Sequence, residues 1–102
     1  MGDAVSRIVY VRQFLAPDRA DDFAQTFRQH SALVRECEGF VSLRVLKPLV
    51  VERRDERVLV LEFQTDAQLQ RWRMSDDHAR IAEQYRRLWA REPEAQFFVS
   101  EE

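Results

Sequence analysis

Residues 71–90 hold side chains of the types that carry out proton-transfer chemistry. Trp72, His78, Tyr85 and Trp89 follow one another in this segment. A neutral imidazole can accept a proton near pH 7, and a phenol can donate a hydrogen bond to a developing oxyanion. The same spacing also describes the apolar side of a helix, so the elements that hold these residues decide between a pocket and a packed helix.

The composition describes a small folded domain. The chain has 102 residues, of which 45% are hydrophobic, so we expect one domain over residues 1–102. Its net charge of −2 gives no reason to expect binding to nucleic acid, and no apolar run approaches the ~20 residues of a membrane-spanning helix. Cys37 is the single cysteine, which leaves no internal disulfide and favours a reduced, cytoplasmic setting.

The first half of the chain predicts a strand, a helix and a second strand. Residues 7–15 are rich in β-branched and aromatic side chains, which favour a strand. Asp18 is a good N-cap, and apolar residues recur at helical spacing after it, so we predict a helix over residues 19–37. Gly39 is predicted to end this helix, and residues 40–47 predict the second strand.

The second half supplies two more strands. The polar cluster 52–57 predicts a hairpin turn, and residues 58–63 predict the third strand after it. Pro93 predicts the end of a helical region, and residues 94–100 predict the fourth strand.

Two helices are predicted between the third and fourth strands. Thr65 and Gln68 form a capping box, T-x-x-Q, which opens a short helix that holds Trp72. Ser75 is a second N-cap, and the helix that follows it is predicted to run to about Ala90.

The predicted order of elements is β-α-β-β-α-β, with the second helix split in two. This is the ferredoxin-like pattern of an α+β domain, in which four antiparallel strands form one sheet and the helices cover one of its faces. The strands carry apolar residues on both faces, so the uncovered face is an expected interaction surface. We expect a homodimer that packs sheet against sheet to bury it.

Three segments of the chain carry a resemblance to a known family. They are EGFVSLRVLK (38–47), VLVLEFQTDAQLQRW (58–72) and MSDDH (74–78). Their order and spacing resemble those of the antibiotic biosynthesis monooxygenase family of dimeric α/β barrels. The resemblance implies the fold more firmly than the reaction. Some members oxidise polycyclic aromatic or quinol substrates with O₂ and no metal or flavin, while others degrade haem, isomerise small signalling molecules or have no known activity.

The haem-degrading branch of this family is disfavoured by the sequence. Its members have an Asn on the first strand, a Trp in the short helix and an iron-binding His ten residues after that Trp. Trp72 matches the Trp, but Ala82 occupies the position of the His, and the chain contains no Asn. His78 lies six residues after Trp72, about one helical turn away from the expected ligand.

No pattern for a metal or a bound cofactor stands out in the sequence. His30 and His78 are isolated, and neither belongs to an H-x-x-x-H or H-x-x-E-H motif. Gly2 and Gly39 are the only glycines, so a glycine-rich loop for a nucleotide or flavin is not expected. We therefore expect chemistry without a cofactor.

The resemblance implies a cofactor-independent monooxygenase that oxidises a small aromatic or quinol compound with O₂. In this hypothesis Trp72 stacks on or positions the substrate, and His78 is the general base. His78 and Tyr85 are seven residues apart and therefore project from one helix face. Tyr85 or Arg44 would stabilise the oxyanion. Trp89 continues the line as a packing or dimer-contact residue, or as part of the substrate site.

The other candidate residues also have purely structural explanations. His30 lies on the apolar stripe of the first helix, either as a core histidine or as part of the same pocket. Gln68 either only caps its helix or points into the pocket. Arg44 is predicted to stand opposite Glu62, as a cross-strand ion pair or as an oxyanion stabiliser. The alternative function is a non-catalytic small-molecule-binding or stress-associated dimer, which predicts a bound ligand without O₂ uptake.

Overall fold

The computed structural model describes residues 5–101, which form four strands and three α-helices. In chain order they are β1 (Arg7–Leu15), α1 (Ala20–Val34), β2 (Phe40–Leu46), β3 (Glu56–Phe63), α2 (Asp66–Arg73), α3 (Asp76–Arg86) and β4 (Trp89–Val99). A short 3₁₀ helix, Val51–Arg53, lies between β2 and β3.

The strands form one antiparallel sheet in the order β2-β3-β1-β4. The complete arrangement is β-α-β-β-α-α-β, which confirms the predicted ferredoxin-like α+β fold. β1 and β3 are the central strands, whereas β2 and β4 each pair on one side only.

The helices cover one face of the sheet. Alternate residues of a strand point to opposite faces, and the side chains of Val9, Leu59 and Leu61 that point towards the helices are buried. They pack in two neighbouring clusters with residues of all three helices: Phe23, Val34, Leu69, Trp72, Ile81 and Tyr85. Burial of this apolar surface is the main stabilising term of the fold.

The opposite face of the sheet carries exposed apolar side chains. Tyr10, Leu46 and Phe98 are 38%, 41% and 47% exposed, and the rings of Tyr10 and Phe98 meet edge to face with centroids 5.3 Å apart. This is the face on which the sequence predicts a second copy of the chain to pack. The homodimer stays a prediction.

The start of α1 differs from the prediction. Asp18 is not the N-cap, because its φ of 65° lies in the left-handed region, whereas a capping residue normally has extended backbone. Arg19 occupies the cap position without a side-chain hydrogen bond to the helix. Asp18 therefore turns the chain between β1 and α1, in a conformation that aspartate tolerates better than most residues.

The end of α1 also differs from the prediction. The helix ends at Val34 and not at residue 37, because the backbone N–H of Cys37 bonds to the Val34 carbonyl in a tighter turn. Gly39 therefore does not directly follow the helix. It has a φ of 87° and leads into β2, where a Cβ atom would overlap the side chain of Gln68.

The last helix is shorter and the last strand longer than predicted. α3 ends at Arg86 and not at Ala90, and Trp89 already begins β4. Pro93 lies inside this strand, so the prediction that it separates helix from strand is wrong. An edge strand tolerates proline because half of its N–H groups have no strand partner. The ladder also shifts here, since Arg12 pairs with Glu94 but Phe14 pairs with Arg91.

The hairpin of β2 and β3 corrects the predicted partner of Arg44. β3 begins at Glu56, two residues earlier than predicted, and Arg44 pairs with Val60. Glu62 pairs with Ser42 instead. The observed pairing places the centre of the hairpin one residue before the predicted position. The register also shifts between Phe40 and Ser42, at the end of the ladder away from the turn. The cross-strand ion pair of Arg44 and Glu62 was therefore a wrong prediction.

Candidate ligand-binding site

A cavity of about 190 Å³ lies between the sheet and the helices. Val9 and Leu61 contribute its sheet wall, Trp72 and Ile81 its helix wall, and Phe97 of β4 lines its edge. An apolar cavity of about 150 Å³ is large enough to bind benzene. The cavity therefore accommodates at least one aromatic ring.

A buried hydrogen bond in the cavity wall joins two helices. His30 of α1 and Tyr85 of α3 both line the cavity, and the His30 Nδ1 atom lies 2.9 Å from the Tyr85 hydroxyl oxygen. Burial, followed by the nearby His78, lowers the pKa of His30 to about 4, while burial raises the pKa of Tyr85. Both side chains are therefore neutral near pH 7.

The surroundings of this pair indicate which nitrogen of His30 carries the proton. If the Tyr85 hydroxyl donates to Nδ1, the buried hydroxyl hydrogen has an acceptor, and the proton of the neutral imidazole is on Nε2. In the other tautomer Nδ1 is the donor, and the hydroxyl hydrogen loses this acceptor. Among residues 5–101 the His30 Nε2 atom has no hydrogen-bond partner, although it is buried. A ligand oxygen could accept its N–H.

Trp72 lies between the two histidines of the site. Its ring is nearly parallel to His30, with centroids 5.7 Å apart, and it meets His78 edge to face at 5.6 Å. Trp72 and His78 both line the cavity. The structure therefore brings the predicted residues Trp72, His78, Tyr85 and His30 together at one cavity, while their roles stay predictions.

His78 is held at the start of α3. Its backbone N–H donates to the Ser75 hydroxyl oxygen at 3.1 Å, which confirms Ser75 as the N-cap. Partial burial, followed by the positive charge of Arg73, lowers the pKa of His78. The imidazole is neutral at pH 7 and able to accept a proton.

Gln13 is a site residue that the sequence analysis missed. It is only 2% exposed, lines the cavity, and accepts a hydrogen bond from Trp89 Nε1 at 2.9 Å through its Oε1 atom. Trp89 thus reaches the cavity from β4 and not from the helix. An indole N–H can only donate, so the amide oxygen of Gln13 faces Trp89 and its NH₂ group points elsewhere. The sequence signal that could have identified Gln13 is its alternation with Val9 and Val11, which puts a polar side chain on an otherwise apolar face of β1.

Arg73 is a second residue that the sequence analysis did not single out. It is exposed at the end of α2, lines the cavity, and places its guanidinium carbon 4.8 Å from the centre of the Phe97 ring. Phe97 is 52% exposed. These two side chains mark the mouth of the cavity, where a cation packs on an aromatic ring.

Two of the predicted site residues lie outside this cavity. Arg44 is exposed and shares a sheet face with its partner Val60, away from the helices, so it cannot reach the ligand space. Gln68 lines a separate, smaller cavity of about 140 Å³ near Cys37. Its backbone N–H donates to Thr65 Oγ1 at 3.2 Å, which confirms the helix start, but its Oε1 is buried without a partner in residues 5–101.

The described part of the chain contains neither a candidate metal site nor a candidate membrane-spanning helix. No group of three or more His, Cys, Asp or Glu side chains in residues 5–101 is arranged to hold a metal ion. None of the helices within this range combines the length and the apolar character that crossing a membrane requires.

Comparison with known proteins places this site in a family context. The model of the family "Antibiotic biosynthesis monooxygenase" matches residues 6–84. No curated protein sequence matches the chain.

Solved structures share the fold at low sequence identity. A candidate antibiotic biosynthesis monooxygenase from Caulobacter crescentus has a TM-score of 0.87 and 13% identity, with coverage of 97% of this chain and 92% of that one. A conserved protein from Methanosarcina mazei has a TM-score of 0.85, 16% identity and coverage of 93% and 92%. A mutant of SnoaB, a cofactor-independent oxygenase from Streptomyces nogalater, has a TM-score of 0.83, 16% identity and coverage of 95% and 94%.

Proposed function

Because the chain belongs to the antibiotic biosynthesis monooxygenase family, we propose that it is a cofactor-independent monooxygenase of a small aromatic or quinol-type substrate. The observation that carries this proposal is an apolar cavity sized for an aromatic ring and lined by two histidines that are neutral at pH 7. The likeness to SnoaB, which is itself a cofactor-independent oxygenase, supports it.

His78 is the proposed general base. Its imidazole is half-buried, so it can contact a ligand in the cavity and still pass a proton to solvent. Burial lowers the pKa of His78, but it lowers the pKa of the more deeply buried His30 further. His78 is therefore the better base. Trp72, whose ring contacts both histidines, is proposed to position the substrate ring.

The proposed oxyanion donor is the Nε2–H group of His30. This atom is buried and has no partner in residues 5–101, and Tyr85 holds the other nitrogen of the ring. Tyr85 is then a positioning residue that fixes the tautomer, because its hydroxyl is already engaged with His30. Arg44, on the other face of the sheet, has no part in this proposal.

The reaction needs only a proton acceptor and O₂ as the oxidant. In a substrate with an activated CH₂ group, such as anthrone, His78 removes one of its protons, and the carbanion transfers one electron to O₂. Recombination forms a C–O bond to a peroxide, which takes a proton. Loss of the second C–H proton with cleavage of the O–O bond gives a ketone and one molecule of water. An N–H donor lowers the energy of the intermediate anions.

Oxygen uptake by chelator-treated protein tests the proposal. Anthrone, hydroquinone and catechol would be supplied in turn to the wild type, to His78→Gln and to Arg80→Gln. Arg80 is an exposed residue of the same helix that pairs with Asp77, so its substitution is a matched control. We expect uptake with at least one compound, a loss of 10²-fold or more in His78→Gln, and wild-type rates in Arg80→Gln. Full activity of His78→Gln would remove His78 as the base.

The second candidate function is a small-molecule-binding domain without catalysis. It is favoured by the low pKa of His30, about 4, because such a weakly basic imidazole suits hydrogen bonding better than proton removal. This function predicts that aromatic compounds bind in the cavity and that none of them gives O₂ uptake.

The homodimer is part of the same proposal. The exposed apolar face around Tyr10, Leu46 and Phe98 would be buried by a second copy of the sheet. Light scattering would detect a particle of twice the 12.2 kDa chain mass. A monomeric mass at micromolar concentration would contradict the dimer while leaving the cavity unchanged.

A further inference from the structure

Arg73 is the charged side chain among the residues that line the cavity within the described part of the chain. The other polar residues in that lining, Gln13, His30, His78 and Tyr85, are neutral at pH 7 or carry no charge at all. The guanidinium of Arg73 is held at the mouth by its contact with the Phe97 ring. The electrostatic potential at the mouth of the cavity is therefore positive.

The charge of Arg73 is not neutralised by a nearby carboxylate. Within residues 5–101 no Asp or Glu oxygen lies within 4 Å of its guanidinium, whereas its neighbours are paired. On the same helix, Arg71 pairs with Glu38 at 3.5 Å, and on α3 Arg80 pairs with Asp77. Apolar walls of low dielectric constant strengthen the field of an unpaired cation inside a cleft.

We propose that the cavity binds an aromatic carboxylate, with the ring inside and the carboxylate beside Arg73 at the mouth. A guanidinium group matches a carboxylate with two parallel hydrogen bonds. The apolar space of about 190 Å³ behind it accommodates the ring. This inference rests on the proposed function because it takes the same cavity as the substrate site, and it adds the charge of the ligand.

A pair of ligands with the same ring tests the inference by binding alone. 2-Naphthoate and 2-naphthalenemethanol differ in charge at pH 7.5 but hardly in shape, and benzoate with benzyl alcohol is the matching one-ring pair. Binding would be followed by the fluorescence of Trp72 and Trp89, which both line the cavity. We expect the carboxylate of either pair to bind roughly five- to tenfold more tightly than its alcohol, and less so in high salt.

The variants assign this preference to one residue. In Arg73→Gln the affinities for carboxylate and alcohol should agree within about twofold, and the affinity for the alcohol should stay near that of the wild type. Arg71→Gln is the matched control, because Arg71 lies on the same helix but lines only the smaller cavity. This control should keep the preference.

Several outcomes would overturn the inference. They are equal affinity for carboxylate and alcohol in the wild type, a preference that persists in Arg73→Gln, a loss of preference in Arg71→Gln, and no binding of either pair. O₂ uptake with neutral substrates and no preference for the anion would keep the proposed function and remove this inference. A preference for the anion without O₂ uptake would keep the inference and remove the proposed reaction.

Discussion

The Nδ1 atom of His30 lies 2.9 Å from the hydroxyl oxygen of Tyr85, and this hydrogen bond joins α1 to α3 at the cavity wall. Both side chains are buried, at 6% and 4% exposure. If Tyr85 donates to Nδ1, the bond satisfies the hydroxyl, and the buried Nε2–H of His30, which has no partner in residues 5–101, is available to a ligand. One hydrogen bond therefore connects the packing of the two helices to the proposed chemistry of the site.

Tyr85→Phe should cost about 1 to 2 kcal/mol of unfolding free energy, because His30 Nδ1 then loses its buried partner. Denaturant unfolding measures this loss, and ¹⁵N NMR of His30 reports which nitrogen is protonated. We expect protonated Nε2 in the wild type and a mixture of tautomers in the variant. Tyr10→Phe, at an exposed position, is the control and should change stability by less than about 0.5 kcal/mol. Protonation of Nδ1 in the wild type would contradict the proposed tautomer.

The stability of the protein should fall as the pH falls from 6.5 towards 4. The pKa of His30 is lowered from 6.5 in the unfolded chain to about 4 in the folded one, so only the unfolded state takes up its proton in this window. The contribution is fully present above pH 6.5 and decreases by on the order of 3 kcal/mol by pH 4.

His30→Gln should remove this part of the pH dependence. Unfolding would be measured between pH 4 and 7.5 for both proteins, and the difference between them isolates His30. Glu56, whose pKa is lowered by its hydrogen bond with Arg53 and by Arg12, contributes to the acid loss of both proteins alike. Parallel curves for wild type and variant would show that His30 titrates normally in the folded state.

Gln13→Leu should destabilise the protein by about 1 to 3 kcal/mol, although it adds an apolar side chain to an apolar wall. The substitution leaves the partly buried N–H of Trp89 without its acceptor at 2.9 Å. Denaturant unfolding measures the loss, and the tryptophan emission spectrum should change with it. Gln96→Leu, on an exposed position of β4, should stay within about 0.5 kcal/mol of the wild type. Equal stability of both variants would remove any structural role for the hydrogen bond.

Gly39→Ala should destabilise the protein by more than about 1 kcal/mol for two separable reasons. The φ of 87° is unfavourable for alanine, and its Cβ would overlap the side chain of Gln68. A cycle with Gln68→Ala separates them, because the double variant relieves the overlap but keeps the backbone strain. If the loss of stability in the double variant equals the sum of the losses in the two single variants, Gln68 moves aside at no cost.

The sequence predicted those features that depend on local signals. Thr65 and Ser75 begin their helices as expected, because an N-cap acts on N–H groups only two or three residues away. The strand content and the order of elements followed from hydrophobic period and turn residues. Predictions failed at Asp18 and Gly39. Both have left-handed backbone that turns the chain between two elements, and neither caps the neighbouring helix.

The predictions that needed the sheet as a whole also failed. Pro93 is compatible with β4 only because that strand lies at an edge, and the strand order is not a local property. Arg44 was predicted either to stand opposite Glu62 as an ion pair or to stabilise an oxyanion, but the observed ladder pairs it with Val60 on the uncovered face. The register between two strands decides which residues face each other, and the residues next to Arg44 in the sequence do not indicate that register.

The sequence by itself determined the ferredoxin-like fold, the resemblance to the family, and a helix face that carries both His78 and Tyr85. Periodicity and capping are properties of neighbouring residues, so the chain can be read for them directly. Only the tertiary structure decided that His30 meets Tyr85 across 55 residues, that Gln13 holds Trp89, and that Arg73 lies at the mouth. Such contacts depend on how helices dock on a sheet of given register, which is set by the packing of the entire core.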